Sequence, residues 1–576
     1  LEDAGLGADL LAASQVWQRR EAPASGSAGL IVAAKGDYRR ILAQLYTDGY
    51  YSPAINIRLN GREAADLDNT TTLRQPVTVE LRVDPGPPFL FGDVEIVNPP
   101  LNYRIGDAGW PDTAARSIAP GALARADVID AVSDEAVEVW RGQGHPVARV
   151  ADRQIVADHA RNILDTRIIL DPGPTATLAR PTVTGSDRIK PGFIRYIADI
   201  DEGARFSPEA LEEAQRRLNQ LGVFSSVRID EGEAVGPDGA LPLEITVADR
   251  KPRRFGVGAT FSNTDGLGLE GYWLHRNLFG RAERLRFDAS VSGIEDVGQF
   301  EDFDYFLGAS LRFPGVPVPD TALTLSASTE QTVLDIYRER SIDLGATFDR
   351  RFSAELEGSL GLGLDFSEIE DELGTRRFLV TSVEGELTYD RRDDPSDPRR
   401  GYYLSARVKP FYESEFENAA VAAEIDARGY LSFGQTRATA LAARISLGSI
   451  AGGTPEELPP SELFFTGGGG SVRGYGFRSI GTRSSDDTLG GLSLFEGSVE
   501  YRQRIGQRFS VVAFADAGQV GDARSPFADF DPRLGAGLGV RLRTGIGPIR
   551  LDVATPIARR DGDPRVAFYV GLGQAF

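Results

Sequence analysis

One stretch of the sequence gathers residues that could do chemistry. Gly467-Gly-Gly-Gly-Ser-Val-Arg-Gly-Tyr-Gly-Phe477 carries a single arginine, Arg473, among glycines with no acid beside it. Glycines admit positive φ and close approach of another backbone. Such a loop can cradle a phosphate with its N–H groups, or it can be an exposed connection. Gly266-Leu-Gly-Leu-Glu-Gly271 has the spelling of a dinucleotide fingerprint, which needs a strand before it and a helix after it. Tyr272-Trp-Leu-His275 reads instead as a continuing strand, so nucleotide binding is not expected. Asp390, Asp393, Asp394 and Asp397 could suggest calcium, but Pro395, Pro398 and the irregular spacing read as a turn. His145, His159 and His275 stand far apart, and there is no cysteine, so no metal site and no thiolate chemistry is expected. No nucleophile–base–acid arrangement emerges, and the sequence predicts no catalytic residue, no cofactor and no enzyme.

The elements that must position Arg473 belong to a long chain. At 576 residues it should form several domains. A net charge of -21 argues against a general nucleic-acid binder. The absence of methionine suggests that a leader was removed or trimmed, and Leu1-Glu-Asp-Ala4 is no signal peptide. No run of about 18 apolar residues occurs, so no membrane helix is expected. A membrane barrel remains open, because its strands need only about 9–11 alternating residues.

Residues 1–250 contain an internal repeat. Three segments run from an amphipathic helix through a glycine stop into a strand: Tyr38 to Gly49, Ile129 to Gly144, and Pro208 to Gly222. In each, a large apolar residue (Leu45, Trp140, Leu218) lies four positions before the glycine, on the stripe that should be buried. Ser207-Pro208 supplies an N-cap and a proline at the first helical position. Asp84-Pro-Gly-Pro87 and Asp171-Pro-Gly-Pro174 repeat one linker and mark boundaries. Three α+β modules are expected at 1–86, 87–174 and 175–251, the first short of its opening strand as though truncated before Leu1.

From 252 to 576 the composition shifts, with 43 of the 65 glycines lying after residue 250. Sixteen strand-like runs recur, an even number as in bacterial single-chain barrels. In the twelfth run Phe495, Val499 and Tyr501 oppose Glu496, Ser498, Glu500 and Arg502. In the fifteenth Ile549, Leu551 and Val553 oppose Arg550 and Asp552. In the last, Phe568, Val570, Leu572 and Phe576 oppose Gly571, Gly573 and Ala575. This alternation establishes half-buried strands in either a soluble sandwich or a membrane barrel. Strand length, aromatic strand ends and a chain that stops on a strand favour the barrel.

Several motifs then fall in one order: Asn277-Leu-Phe-Gly-Arg281, Tyr389 to Tyr402 with its Asp/Pro-rich turn, Val472-Arg-Gly-Tyr475, Phe514-Ala-Asp-Ala-Gly518, Gly547 to Asp552, and Phe568 to Phe576. In this order they resemble the BamA/TamA superfamily of outer-membrane assembly proteins. The resemblance implies three POTRA domains followed by a 16-stranded antiparallel transmembrane β-barrel, in the Gram-negative outer membrane with the modules in the periplasm. Three modules point to the TamA branch. It implies that Val472, Arg473, Gly474 and Tyr475 fold into the lumen, with Glu500 and Asp516 as partners of the arginine. It implies a lateral seam at Gly256, Gly258, Gly571 and Gly573, glycines being poor at holding a ladder. Phe568, Tyr569, Leu572 and Phe576 resemble the C-terminal assembly signal. The implied function is insertion or translocation of unfolded β-barrel clients such as autotransporters, beside outer-membrane lipid and with a TamB-like inner-membrane-anchored partner. Two alternatives remain: a two-partner-type pore passing unfolded protein through the lumen, and a BamA-type general insertase truncated at its N-terminus.

Overall fold

The computed structural model describes all residues except 1–5, 22–25, 102–117, 263–265, 295–302, 335–336, 372–373, 435–437, 485–486, 507, 545–546, 561–562, 573 and 575–576. The chain divides into two compact units. One comprises Leu1–Thr182, Ile200–Glu213 and Ile229–Ile245, and the other comprises Val183–Asp199, Ala214–Arg228 and Thr246–Phe576.

In the amino-terminal region, helices Gly26–Thr47, Ala126–Gly142 and Pro208–Gln220 carry the three repeated patterns. Leu45, Trp140 and Leu218 are buried, as their place on the apolar stripe requires. Gly49, Gly144 and Gly222 all take positive φ, the left-handed turn that ends each helix. Two of the sheets have the same order: Leu90–Val97, Ile163–Asp171, Arg149–Asp158 in one, and Thr182–Thr184, Leu243–Asp249, Phe224–Glu231 in the other. In both, the strand latest in sequence is central. The sheet of residues 54–84 differs. Its central strand is Ala54–Leu59, and Val79–Asp84, latest in sequence, lies at the edge. Beside that edge lies a cleft of about 1,050 Å³ lined by Leu10, Leu11, Trp17, Leu30, Val79 and Leu81.

The second unit is a barrel of sixteen strands closed from Arg253–Ser262 to Ala567–Leu572. All consecutive pairs are antiparallel, and apolar side chains such as Leu307, Leu344, Leu362, Val499 and Leu551 are exposed on the outer wall. Glu496, Ser498, Glu500 and Arg502 are buried on the inner one. An exposed apolar wall around a charged interior is the inverse of a soluble domain and fits a barrel solvated by lipid. Four consecutive strands, Thr321–Leu334, Tyr337–Arg351, Leu356–Asp371 and Gly374–Asp390, run 14 to 17 residues, as does Asn418–Phe433 at 16, longer than a bilayer requires. Their added length is polar and carries cross-strand ion pairs such as Arg377–Glu368 at 2.7 Å.

Residues 183–199 and 214–228 pack with the barrel. Arg217 pairs with Asp320 at 2.6 Å, the Tyr196 hydroxyl donates toward the carbonyls of Gly315 and Pro317, and Asn277 donates to the Arg188 carbonyl. These contacts join segments far apart in sequence, so local punctuation could not reveal them.

Candidate functional site in the barrel lumen

The site is built on the connection between the eleventh strand, Thr439–Ala451, and the twelfth, Ser493–Ile505. This connection turns inward. Val472, Arg473 and Tyr475 are each no more than 1% exposed. Two glycines make room for it. Gly474 has φ of 106°, open to glycine but strained for other residues, and a Cβ on Gly535 would lie 2.0 Å from the Arg473 carbonyl oxygen.

Arg473 meets acids from three strands. Its Nε and Nη2 donate to the two oxygens of Asp516 at 2.7 and 2.8 Å, a bidentate pair, and its backbone N–H donates to the same carboxylate at 3.1 Å. Nη1 donates to Glu500 at 2.6 Å and lies 3.6 Å from Asp552. The guanidinium also lies 3.5 Å from the centre of the Phe514 ring. Glu500 is held in turn by Arg502 at 2.7 Å, and Asp552 by Arg541. A fully buried guanidinium is costly unless its donors are met, and here strong charge-assisted bonds meet them. What the arrangement can do is hold the loop.

A second tether runs to the last strand. Gly474 N–H donates to the Tyr569 hydroxyl at 3.1 Å, and that hydroxyl donates to the Tyr475 carbonyl at 2.8 Å. The Tyr475 hydroxyl donates to the Leu534 carbonyl at 3.0 Å. The structure thus brings Val472, Arg473, Gly474, Tyr475, Glu500, Asp516 and Tyr569 together. Sequence reasoning did not connect Asp552, Arg541, Phe514 or Gly535 to the loop. Asp552 was legible as inward-facing from the alternation of its strand, but nothing local aimed it at Arg473.

The seam has its own geometry. The first strand pairs with the second at ten positions, Arg253↔His275 through Ser262↔Gly266, and among the described residues with the last strand at two, Phe261↔Val570 and Ser262↔Tyr569. Gly256 and Gly258 stand in no pair with the last strand among the described residues. Both sit in the complete ladder to the second strand, where the side chains of Tyr272 and Glu270 occupy the space their missing Cβ atoms leave. Gly571 is the first residue past the seam pairing and stands opposite Arg550. Phe568 and Val570 face outward and Tyr569 inward. Leu572 ends the strand, while Gly573 and Phe576 lie outside the described residues.

The other candidate motifs resolve simply. Gly266–His275 is one continuous strand. Asp393 accepts from the backbone N–H groups of Arg399 and Arg400, Asp394 from Ser396, and Asp397 from Arg504, so these carboxylates shape a turn. Asp390 is bound by Arg392.

Fold and site together define a transmembrane β-barrel with a lumen-folded loop, preceded by α+β modules. The chain belongs to the Omp85 superfamily: residues 277–576, more than half of it, match the Omp85 superfamily domain. Residues 176–249 match the POTRA family, described as a surface antigen variable number repeat. The chain is 22% identical over 93% of its length to an outer membrane protein assembly factor BamA of Neorickettsia risticii, covering 71% of that protein. It is 23% identical over 72% of its length to a protein of the same description from Nitratidesulfovibrio vulgaris, of which it covers only 53%. Among solved structures, it resembles BamA from Haemophilus ducreyi lacking POTRA domains 1-3, with a TM-score of 0.65 at 17% identity, over 84% of this chain and all of that one.

Proposed function

We propose that this chain is an outer-membrane assembly and translocation factor that inserts β-barrel clients through the seam between its first and last barrel strands. The observation that carries this reading is the two-pair seam beside ten-pair and six-pair ladders on the outer flanks of the same two strands. An unpaired strand edge templates an incoming strand, and the energy comes from client folding rather than from a cofactor. The apolar outer wall supports a barrel set in the outer membrane, and on this reading the amino-terminal modules lie in the periplasm.

Within this function the chain is of the TamA type, with three POTRA-like modules at 1–86, 87–174 and 175–251, and with autotransporters among its clients. A TamB-like inner-membrane-anchored partner docks on the first module. Support comes from the outer edge of Val79–Asp84, which has no paired strand among the described residues and borders the 1,050 Å³ cleft. An extended partner segment can join that edge by strand addition.

The chain has no cysteine, so one pair can be introduced cleanly. Phe261→Cys and Val570→Cys occupy directly paired positions. The barrel carrying both is reconstituted in liposomes and offered an unfolded autotransporter barrel, oxidised and reduced. Oxidation should stop insertion and reduction should restore it. Equal insertion by the locked and unlocked barrels would refute the seam mechanism.

A further inference from the structure

The barrel wall carries a like-charged pair near its rim. Arg284 opens the third strand, Arg284–Ile294, and Arg312 lies near the end of the fourth, Asp304–Pro314; the ladder sets the two directly opposite each other. Like charges so placed repel. Arg312 donates from Nη1 to Asp349 and to Thr324 Oγ1. Arg284 has no hydrogen bond or ion pair among the described residues. The charges that bear on it most are those of Arg312, Arg276 and Arg286, every one a cation. Glu283, its neighbour in sequence, accepts instead from the backbone N–H groups of Phe279 and Arg281.

Both arginines line a cavity of about 490 Å³ that Arg217 and Leu221 also line. Four carboxylates reach this cavity, and each is engaged by another group. Asp320 is paired with Arg217 at 2.6 Å, Asp349 with Arg312, and Glu357 with Arg351, while Glu386 accepts from Ser405 Oγ at 2.6 Å. The guanidinium of Arg284 is half-buried yet not sealed in protein, and its nitrogens open on the cavity. A cation partly withdrawn from water, faced by other cations and reached from a cavity, is a place where an anion is stabilised.

We propose that this cavity is a binding site for a phosphate-class oxyanion held between Arg284 and Arg312. Two planar forks of donors match the oxygens of a phosphate, and an anion between them turns their repulsion into attraction. Because Arg217 and Leu221 line the same cavity, the bound anion lies between the barrel wall and the segment Ala214–Arg228 and fastens one to the other. The phosphate comes either from solution or from a phospholipid headgroup. The site stands on observations separate from those of the seam.

The test uses the full chain in an uncharged detergent, titrated with inorganic phosphate and followed by calorimetry, with chloride holding the ionic strength constant. Phosphate should bind saturably. Arg284→Gln should weaken it about tenfold, the scale of one charge-assisted hydrogen bond, and Arg284→Lys should lose less. Because Arg284 makes no bond to the protein, both variants should keep the heat-resistant migration of the folded barrel. Arg377→Gln, at an exposed position away from the cavity, should bind as the wild type does. Phosphate should also slow amide exchange at residues 217–221 in the wild type and leave it unchanged in Arg284→Gln. Once binding is seen, dihexanoylphosphatidylglycerol is added in competition: displacement of phosphate identifies a headgroup as the source, and retention identifies a soluble phosphate. No saturable binding by the wild type, or binding undiminished in folded Arg284→Gln, overturns the proposal.

Discussion

Replacing Arg473 with alanine should release the lumen loop while leaving the barrel wall intact. In the wild type the guanidinium makes a bidentate pair with Asp516, a bond to Glu500, and a contact with the Phe514 ring. After truncation Glu500 still holds Arg502, while among the described residues Asp516 keeps the backbone N–H of residue 473 alone. Breaking a buried pair from one side costs about 3–5 kcal/mol, because it strands the other charge. Since Glu500 remains paired, the lower end applies, ~3 kcal/mol. The burden falls on the loop-closed state, because opening lets water reach Asp516. At about 1.4 kcal/mol per decade, the open population should rise roughly 100-fold. Amide hydrogen exchange at residues 472–475 reads this directly, since the Gly474 N–H is buried against the Tyr569 hydroxyl. Exchange there should accelerate about 100-fold. Adding Asp516→Asn should recover part of the protection, because it removes the stranded charge. If exchange changes less than about threefold, or if Asp516→Asn adds a further loss, the loop is not held by this pair and the reasoning fails.

Two further tests address different contacts. Gly535→Val puts a side chain into the Arg473 carbonyl oxygen, 2.0 Å from the ideal Cβ, and should open the same loop without altering any charge; its effect and that of Arg473→Ala should be clearly less than additive in the exchange measurement. In the first module, Asp37 is buried and accepts from Ser14 Oγ at 2.7 Å, Gln15 N–H at 2.8 Å and Val16 N–H at 3.1 Å. Asp37→Ala should cost ~1.5–3 kcal/mol and fray Gln15–Gln18, exposing this wall of the cleft to proteolysis at Arg19 and Arg20 in the full chain; unchanged cleavage there would show that the carboxylate does not hold the helix.

Much of the architecture is written locally. Outward Phe495, Val499 and Tyr501 against inward Glu496, Ser498, Glu500 and Arg502 follow from a period of two along one strand. Leu45, Trp140 and Leu218 announce the buried faces of their helices, and the glycines at 49, 144 and 222 announce where those helices stop. Arg473 could be singled out because one cation among glycines needs a reason. The acids facing it were readable as inward residues.

The rest depends on register between segments far apart in sequence. The first and last strands, some 300 residues apart, meet at two positions among the described residues, and no local pattern encodes where a ladder ends. Gly256 and Gly258 looked like gaps and are filled by Tyr272 and Glu270 from the neighbouring strand. Asp552, Arg541 and Tyr569 join the Arg473 site only because closure of the barrel brings their strands beside the folded-in loop. Arg550 differs from Arg541 in nothing that the sequence displays; Arg541 bonds Asp552, while Arg550 Nε and Nη1 have no hydrogen-bond partner among the described residues. The sequence by itself determined which face each residue takes, since that depends on the alternation of one strand. The tertiary structure decided which charges are paired, since pairing is a matter of a few ångströms between chains of atoms that only the closed barrel brings together.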